Sequence, residues 1–342
     1  MENKEKSYRF FFILILKFSV VLAALSWLVR SEKIDFSTVP TLFQDPYIIL
    51  GHLGVWLFGV VLMTSLRWFF LLKAMGLHLT LRKTISFNLI GYFFNMFAPG
   101  AVGGDLVKAI YVYREQVIQE KTRALLSIIL DRVLGLYSIF MLASVGILLN
   151  VNYAFSRPSL GLISLFVLSC WASLTAFFLS VMMSSRISND PFSKLFSKNI
   201  PGFKLLNRVY SALLSIRSKP LHFLAAALFS CLFQMTYMSF FFFITCKLSS
   251  SPFKWAEFLV VFPIGALSTA LPIAPGGFGV GHLAFERTFS LIGVKEGAYV
   301  FNVVFLGQAV LSLLGMIPYF LHRSPGRKLD EERSRVLQGL DG

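Results

Sequence analysis

Long apolar runs separated by short polar loops dominate the chain. Phe10–Val29, Tyr47–Leu72, Ala124–Leu149, Ser159–Met183, Leu221–Cys246 and Glu296–Leu321 each carry few charges. Each reaches the roughly 20 residues that a helix needs to cross a hydrocarbon core of about 30 Å. Two further apolar stretches are shorter and broken. Thr84–Phe97 stops at Pro99-Gly100 and resumes as a second arm over Asp105–Tyr113; Trp255–Leu271 stops at a Pro-Gly-Gly stretch and resumes over Val280–Leu291. The two breaks share one pattern, Ala-Pro-Gly-x-x-Gly, at Ala98–Gly103 and Ala274–Gly279. The pattern predicts an all-α polytopic membrane protein with six full spans and two re-entrant helical hairpins, at 84–113 and 255–294.

The loops orient these elements. Lys73, Arg82 and Lys83 precede the first hairpin, and Arg114, Lys121 and Arg123 follow it. Basic flanks on both sides place both ends of that hairpin in the cytoplasm, so it enters and returns. Loop 184–220 carries seven Lys and Arg between Arg186 and Lys219 and reads as cytoplasmic, as does the basic tail 322–342. The first half, 1–150, then runs span, span, hairpin, span from inside, and the second, 151–321, repeats that order from outside. This is an inverted-topology repeat, with both termini cytoplasmic and the protein in the plasma (cytoplasmic) membrane. Phe10–Val29 is too long for a signal-peptide core and lacks a small-residue cleavage site, so it reads as a retained span. Ser31–Asp45 reads as a polar loop, and Arg67-Trp68 as an interface anchor. Apolar residues from Phe203 to Leu214 recur at helical spacing, which predicts an amphipathic helix either on the inner leaflet or packed on the protein.

Net charge is +15. Because the Lys and Arg lie mostly in short loops and no recognition motif accompanies them, no nucleic-acid partner is expected. Cys170, Cys231 and Cys246 are isolated in apolar segments, so they predict neither a zinc site nor a disulfide. Nothing fixes a nucleophile beside a histidine and an acid, and there is no nucleotide loop or metal cluster. The expectation is a non-enzyme without cofactor or metal.

The candidate site lies at the paired breaks. Glycines there allow a tight turn and close approach of backbone to a ligand, and the second arm of each hairpin starts with unpaired N–H groups that suit an anion. Charges inside membrane segments are functional candidates. The first hairpin contributes Asn95, Pro99, Gly100, Gly103, Gly104, Asp105 and Lys108; the following span contributes Asp131 and Arg132; the second hairpin contributes Pro275, Gly276, Gly277, Gly279, His282, Glu286 and Arg287. Asp105 and Lys108 are spaced to share a helix face, as are His282 and Glu286.

Asn95–Lys108, Asp131–Leu136 and Pro272–Gly281 together resemble the flippase-like transmembrane domain of the lysylphosphatidylglycerol synthase family, and the resemblance extends over nearly the whole chain. The family's first motif usually has Arg where Lys108 stands, and its second has Glu where His282 stands, with Glu286 one turn on. Synthases of that family carry a soluble aminoacyl-transfer domain after the membrane part; only residues 322–342 follow the last span, so a stand-alone membrane domain is expected. The resemblance implies movement of a lipid between leaflets. Three readings remain open: translocation of a lipid with an anionic or zwitterionic headgroup, ion-coupled carriage of a small anionic solute, and a non-transporting partner of a separate lipid-modifying enzyme. Homo-oligomers fit all three.

Overall fold

The computed structural model describes residues 39–97, 103–115, 120–183, 213–269 and 280–321. These residues are all-helical, with no strand among them. Five helices are long and apolar enough to cross a membrane: α2 (Pro46–Ala74), α5 (Lys121–Leu149), α6 (Pro158–Met183), α7 (Pro220–Leu248) and α10 (Gly297–Leu321). The expected first span, Phe10–Val29, and the expected amphipathic helix up to Ala212 lie outside the described residues. A short helix, α1 (Val39–Gln44), precedes α2. This corrects the reading of Ser31–Asp45 as wholly loop: Leu42 is buried, and Thr41 hydrogen-bonds the Tyr299 hydroxyl across the fold.

Local chemistry sets the helix ends. Asp45 caps α2 by accepting a hydrogen bond from the Tyr47 amide (2.8 Å), and Pro46, which lacks an N–H, opens the helix. The middle of α2, Val55–Met63, is wound as π-helix. At its far end Gly76 adopts φ +77°, so Leu77 N–H reaches the Leu72 carbonyl (2.9 Å) and Gly76 N–H reaches Lys73 (3.1 Å). Only glycine takes that conformation without strain, and the paired bonds stop the helix. Gly293, at φ +82°, ends α9 in the same way, with Val294 N–H bonded to the Phe289 carbonyl at 3.1 Å.

Two pairs of shorter helices lie between the long ones. α3 (Leu81–Phe97) and α4 (Gly103–Glu115) run antiparallel: Lys83 meets Glu115 (2.6 Å), Phe87 stacks on Tyr111 (5.2 Å between ring centres), and Gly91 lies against Gly104. α8 (Trp255–Thr269) and α9 (Val280–Ser290) do the same through Phe262–Phe285 and Phe258–Phe289. At 1.5 Å per residue these helices are about 17–26 Å long, short of a hydrocarbon core.

The packing of the two halves is reciprocal. α2 lies antiparallel against α7, from Asp45–Lys247 (3.0 Å) through His52–Phe240 to Arg67–Ser230 (3.4 Å). α5 packs on α8, and α10 packs on α3. Both of the latter contacts are close: a side chain at Gly146 would strike the Leu259 carbonyl, and one at Gly315 would strike the Leu89 carbonyl. Phe241, Phe258, Phe262, Phe285 and Phe289 form an aromatic core beside α9. Large apolar residues also cover the outside, among them Leu50, Phe58, Leu162 and Phe166, each at least 60 % exposed. An apolar exterior of this extent is foreign to a soluble domain, where contiguous apolar patches of this size do not face water. The protein is integral to a membrane.

Candidate functional site

Beside the end of the first helix pair where α3 finishes and α4 begins lies a cavity of about 320 Å³. Its wall draws on both halves. α2 gives Thr64 and Arg67, α3 gives Asn88, Tyr92 and Asn95, α4 gives Asp105 and Lys108, and α5 gives Asp131, Arg132 and Gly135. From the second half come Phe233, Gln234 and Tyr237 on α7, Ala266 and Thr269 on α8, and Phe301, Phe305 and Gln308 on α10.

Charges in this wall are paired between α4 and α5. Lys108 Nζ donates to Asp131 Oδ2 (3.1 Å), and Arg132 Nε donates to Asp105 Oδ2 (2.5 Å). The spacing of Asp105 and Lys108 suggested a pair within one helix; each instead takes its partner from the adjacent residues Asp131 and Arg132. Two ion pairs therefore clamp α4 to α5. Asp131 also accepts from Arg67 Nε through Oδ1 (2.7 Å), so one carboxylate serves two cations. Among the described residues of the cavity wall, Arg67, Lys108 and Arg132 face Asp105 and Asp131, which leaves one positive charge in surplus.

Lys108 is only 3 % exposed. Its ammonium sits 3.8 Å from the centre of the Trp68 ring and 3.3 Å from Asn88 Oδ1. Asn88 Nδ2 donates in turn to Thr64 (2.6 Å) and Ser65 (3.1 Å), and Trp68 Nε1 donates to Ser127 Oγ (3.2 Å). An unpaired lysine at membrane depth costs about 2.5–3.5 kcal/mol on insertion scales. The carboxylate, the amide oxygen and the indole face together offset that cost. Trp68 is fully buried and Arg67 bonds inward, which corrects the reading of Arg67-Trp68 as an interface anchor.

Other candidates fall into three groups. Asn95 lines the cavity but uses its Oδ1 to accept from Gly104 N–H (3.0 Å), so one of the free amides expected at the start of α4 is already capped. Gly104 is buried against α3, where a side chain would collide with the Gly91 carbonyl and with Asn95; its role in the structure is close helix packing. Gly103 opens α4. On α9, His282 packs edge-on against Phe301, whose ring lines the cavity, while Glu286 and Arg287 are exposed and stand away from the cavity wall. Pro99, Gly100, Pro275, Gly276, Gly277 and Gly279 lie outside the described residues. The sequence pattern did not single out Arg67, Asn88, Gln234 or Gln308 as site residues. The visible signal was a polar side chain inside an apolar segment. Among the described residues, no group of His, Cys, Asp and Glu side chains is placed to hold a metal ion.

No curated protein and no solved structure matches the chain. The family model described as the lysylphosphatidylglycerol synthase TM region matches residues 14–316, from before the first described helix into α10. With both helix pairs and the whole charged cavity inside that match, the chain belongs to the family of lysylphosphatidylglycerol synthase membrane regions.

Proposed function

We propose that the protein moves a lipid with an anionic headgroup between membrane leaflets, the headgroup passing through the cavity while the acyl chains stay in the bilayer. The observation that carries this reading is the cavity itself: both halves line it, and among its described residues cations outnumber carboxylates by one. A buried surplus charge is costly unless a counter-ion joins it, and a phosphate does so with charge-assisted hydrogen bonds.

Three further features support the reading. Helix pairs too short to cross suit re-entrant hairpins, which are tolerated at depth where protein or a wet cavity surrounds them. The reciprocal packing of α5 on α8 and α10 on α3, about an antiparallel α2–α7 pair, is what an inverted repeat produces. Finally, the Arg132 side chain is 43 % exposed, and beside it α4 and α5 expose Leu106, Ile110, Leu125 and Ile129. A charged rim set in an apolar outer face suits a headgroup entering sideways from lipid, whereas a solute carrier needs a vestibule closed to lipid. In this arrangement both termini lie in the cytoplasm and Asp45 lies outside.

The test is leaflet exchange. The full chain, reconstituted into vesicles with acyl-labelled phosphatidylglycerol, is expected to speed exchange well above that of protein-free vesicles. Exchange at the protein-free rate overturns the proposal.

A further inference from the structure

The π-helical stretch of α2, Val55–Met63, adjoins the cavity and plays no part in the headgroup reading. Winding of this kind is rare, and within an α-helix it tends to mark functional positions. The stretch ends at Thr64, whose amide bonds the Gly59 carbonyl, five residues back. In an α-helix that amide would take the Val60 carbonyl, four residues back. Here the Thr64 hydroxyl takes it instead. The side chain of Thr64 thus holds the chain in the π winding.

The same hydroxyl is tied to the cavity charges. It accepts from Asn88 Nδ2 (2.6 Å), and Asn88 Oδ1 accepts from Lys108 Nζ (3.3 Å). A chain of hydrogen bonds therefore runs from Lys108 through Asn88 and Thr64 to Val60, and members of such a chain strengthen one another. The stretch also has somewhere to go. A bond reaching five residues back encloses one residue more than a bond reaching four. Arg67–Asp131 (2.7 Å) and Trp68–Ser127 (3.2 Å) pin α2 just beyond Thr64, so the surplus residue passes the other way, toward Gly54. A Cβ built at Gly54 meets nothing within 4 Å, which leaves room there. The residues it passes turn by about 100° around the helix axis. Gly59 is one of them, and a Cβ built on it would lie 3.4 Å from the ring of Phe233, a cavity residue on α7. Turning Gly59 away brings a larger side chain against that ring and moves the cavity wall.

We infer that α2 has a second winding and that occupancy of the cavity selects it through Lys108, Asn88 and Thr64. The inference rests on the headgroup reading given above. A phosphate that draws Lys108 off Asn88 weakens the hold on Thr64, the Thr64 amide takes back the Val60 carbonyl, and Phe233 is displaced. Thr64 is a positioning residue, acting through Asn88 and the winding of α2. Coupling of this kind is reciprocal: whatever loosens the π winding also tightens binding.

Thr64→Val and Thr64→Ser in the purified full chain make the test, with short-chain phosphatidylglycerol as the probe. Valine keeps the branched shape, and Ser65 still accepts from Asn88 (3.1 Å), so the amide keeps a partner. Binding is measured together with deuterium uptake at the backbone amides of residues 55–64. In the wild type, uptake there should fall when the lipid binds. Thr64→Val should bind the lipid tighter by up to about tenfold, the contribution of one hydrogen bond, and should show the lower uptake with or without lipid. Thr64→Ser should restore wild-type behaviour in both. Weaker or unchanged binding by Thr64→Val, or wild-type uptake that ignores bound lipid, overturns the inference. Bound lipid that lowers uptake without speeding leaflet exchange in vesicles keeps the inference and overturns the translocation reading. No binding at all overturns both.

Discussion

Removing Lys108 and removing Asp131 break the same ion pair but have unequal consequences. In Asp131→Asn, Arg67 and Lys108 lose the carboxylate they share and remain together, with side chains only 12 % and 4 % exposed. Breaking a buried pair so that a charge is left uncompensated costs about 3–5 kcal/mol. In Lys108→Gln the Arg67–Asp131 pair, at 2.7 Å, stays balanced. The attraction lost at 3.1 Å is about 5 kcal/mol at an effective dielectric constant of 20. Against this, an ammonium no longer has to be held out of water, which is itself worth several kcal/mol, and its repulsion with Arg67 disappears. What remains is the contact with the Trp68 ring, up to about 2 kcal/mol, so Lys108→Gln should cost about 1–2 kcal/mol. Thermal unfolding of the purified variants measures both. The expected order is a small shift for Lys108→Gln and a severe loss for Asp131→Asn. Lys108→Gln should also lose most binding of anionic lipid, because the cavity surplus is gone. Equal destabilisation by the two variants would refute the reasoning and make Lys108 a structural charge. Full lipid binding by Lys108→Gln would refute the counting of charges in the cavity.

Other outcomes follow from single contacts. Gly104→Ala drives a methyl into the Gly91 carbonyl, so it should destabilise the α3–α4 pair by about 1–3 kcal/mol or more, visible as lower yield and a lower unfolding temperature; a normal unfolding temperature would contradict this packing. Asp45, outside the spans, is held below the usual carboxylate range first by its hydrogen bond to Lys247 and then by the Tyr47 amide. A depressed carboxylate pKa adds stability above its unfolded value and loses it as pH falls through the folded one. Lys247→Met should therefore lower the unfolding temperature slightly at neutral pH, with the difference from wild type vanishing in strong acid; a difference that persists there would mean that Lys247 acts by packing.

Much of the fold was legible because apolar length is a strong signal. Leu221–Cys246 became Pro220–Leu248 and Ser159–Met183 became Pro158–Met183, with prolines marking the starts. Both broken stretches formed helix pairs of nearly the expected extent. α1 was missed because Val39–Gln44 is too short to show a period, and it is held by contacts such as Thr41–Tyr299 that no local pattern reveals. In the site, Asp105, Lys108, Asp131 and Arg132 stood out as charges among apolar residues, but their pairing depends on how α4 meets α5. Arg67 was misread since Trp68 beside it and Lys73 further along imitate an interface belt. Gln234 and Gln308 show in the sequence only as uncharged polar side chains inside apolar segments, and it is their place in the cavity wall that makes them site residues.

Gly135 lies in the cavity wall on α5, and a Cβ built there meets nothing closer than the Arg67 guanidinium at 3.4 Å. Gly135→Leu therefore sends its branched end into the cavity beside Arg67, and leucine favours helix over glycine by up to about 1 kcal/mol. Leaflet exchange of phosphatidylglycerol in vesicles holding equal amounts of folded wild type and Gly135→Leu tests most directly whether the headgroup travels through this cavity. The account predicts rapid exchange with the wild type and the protein-free rate with the filled cavity. Wild-type exchange through Gly135→Leu would contradict it.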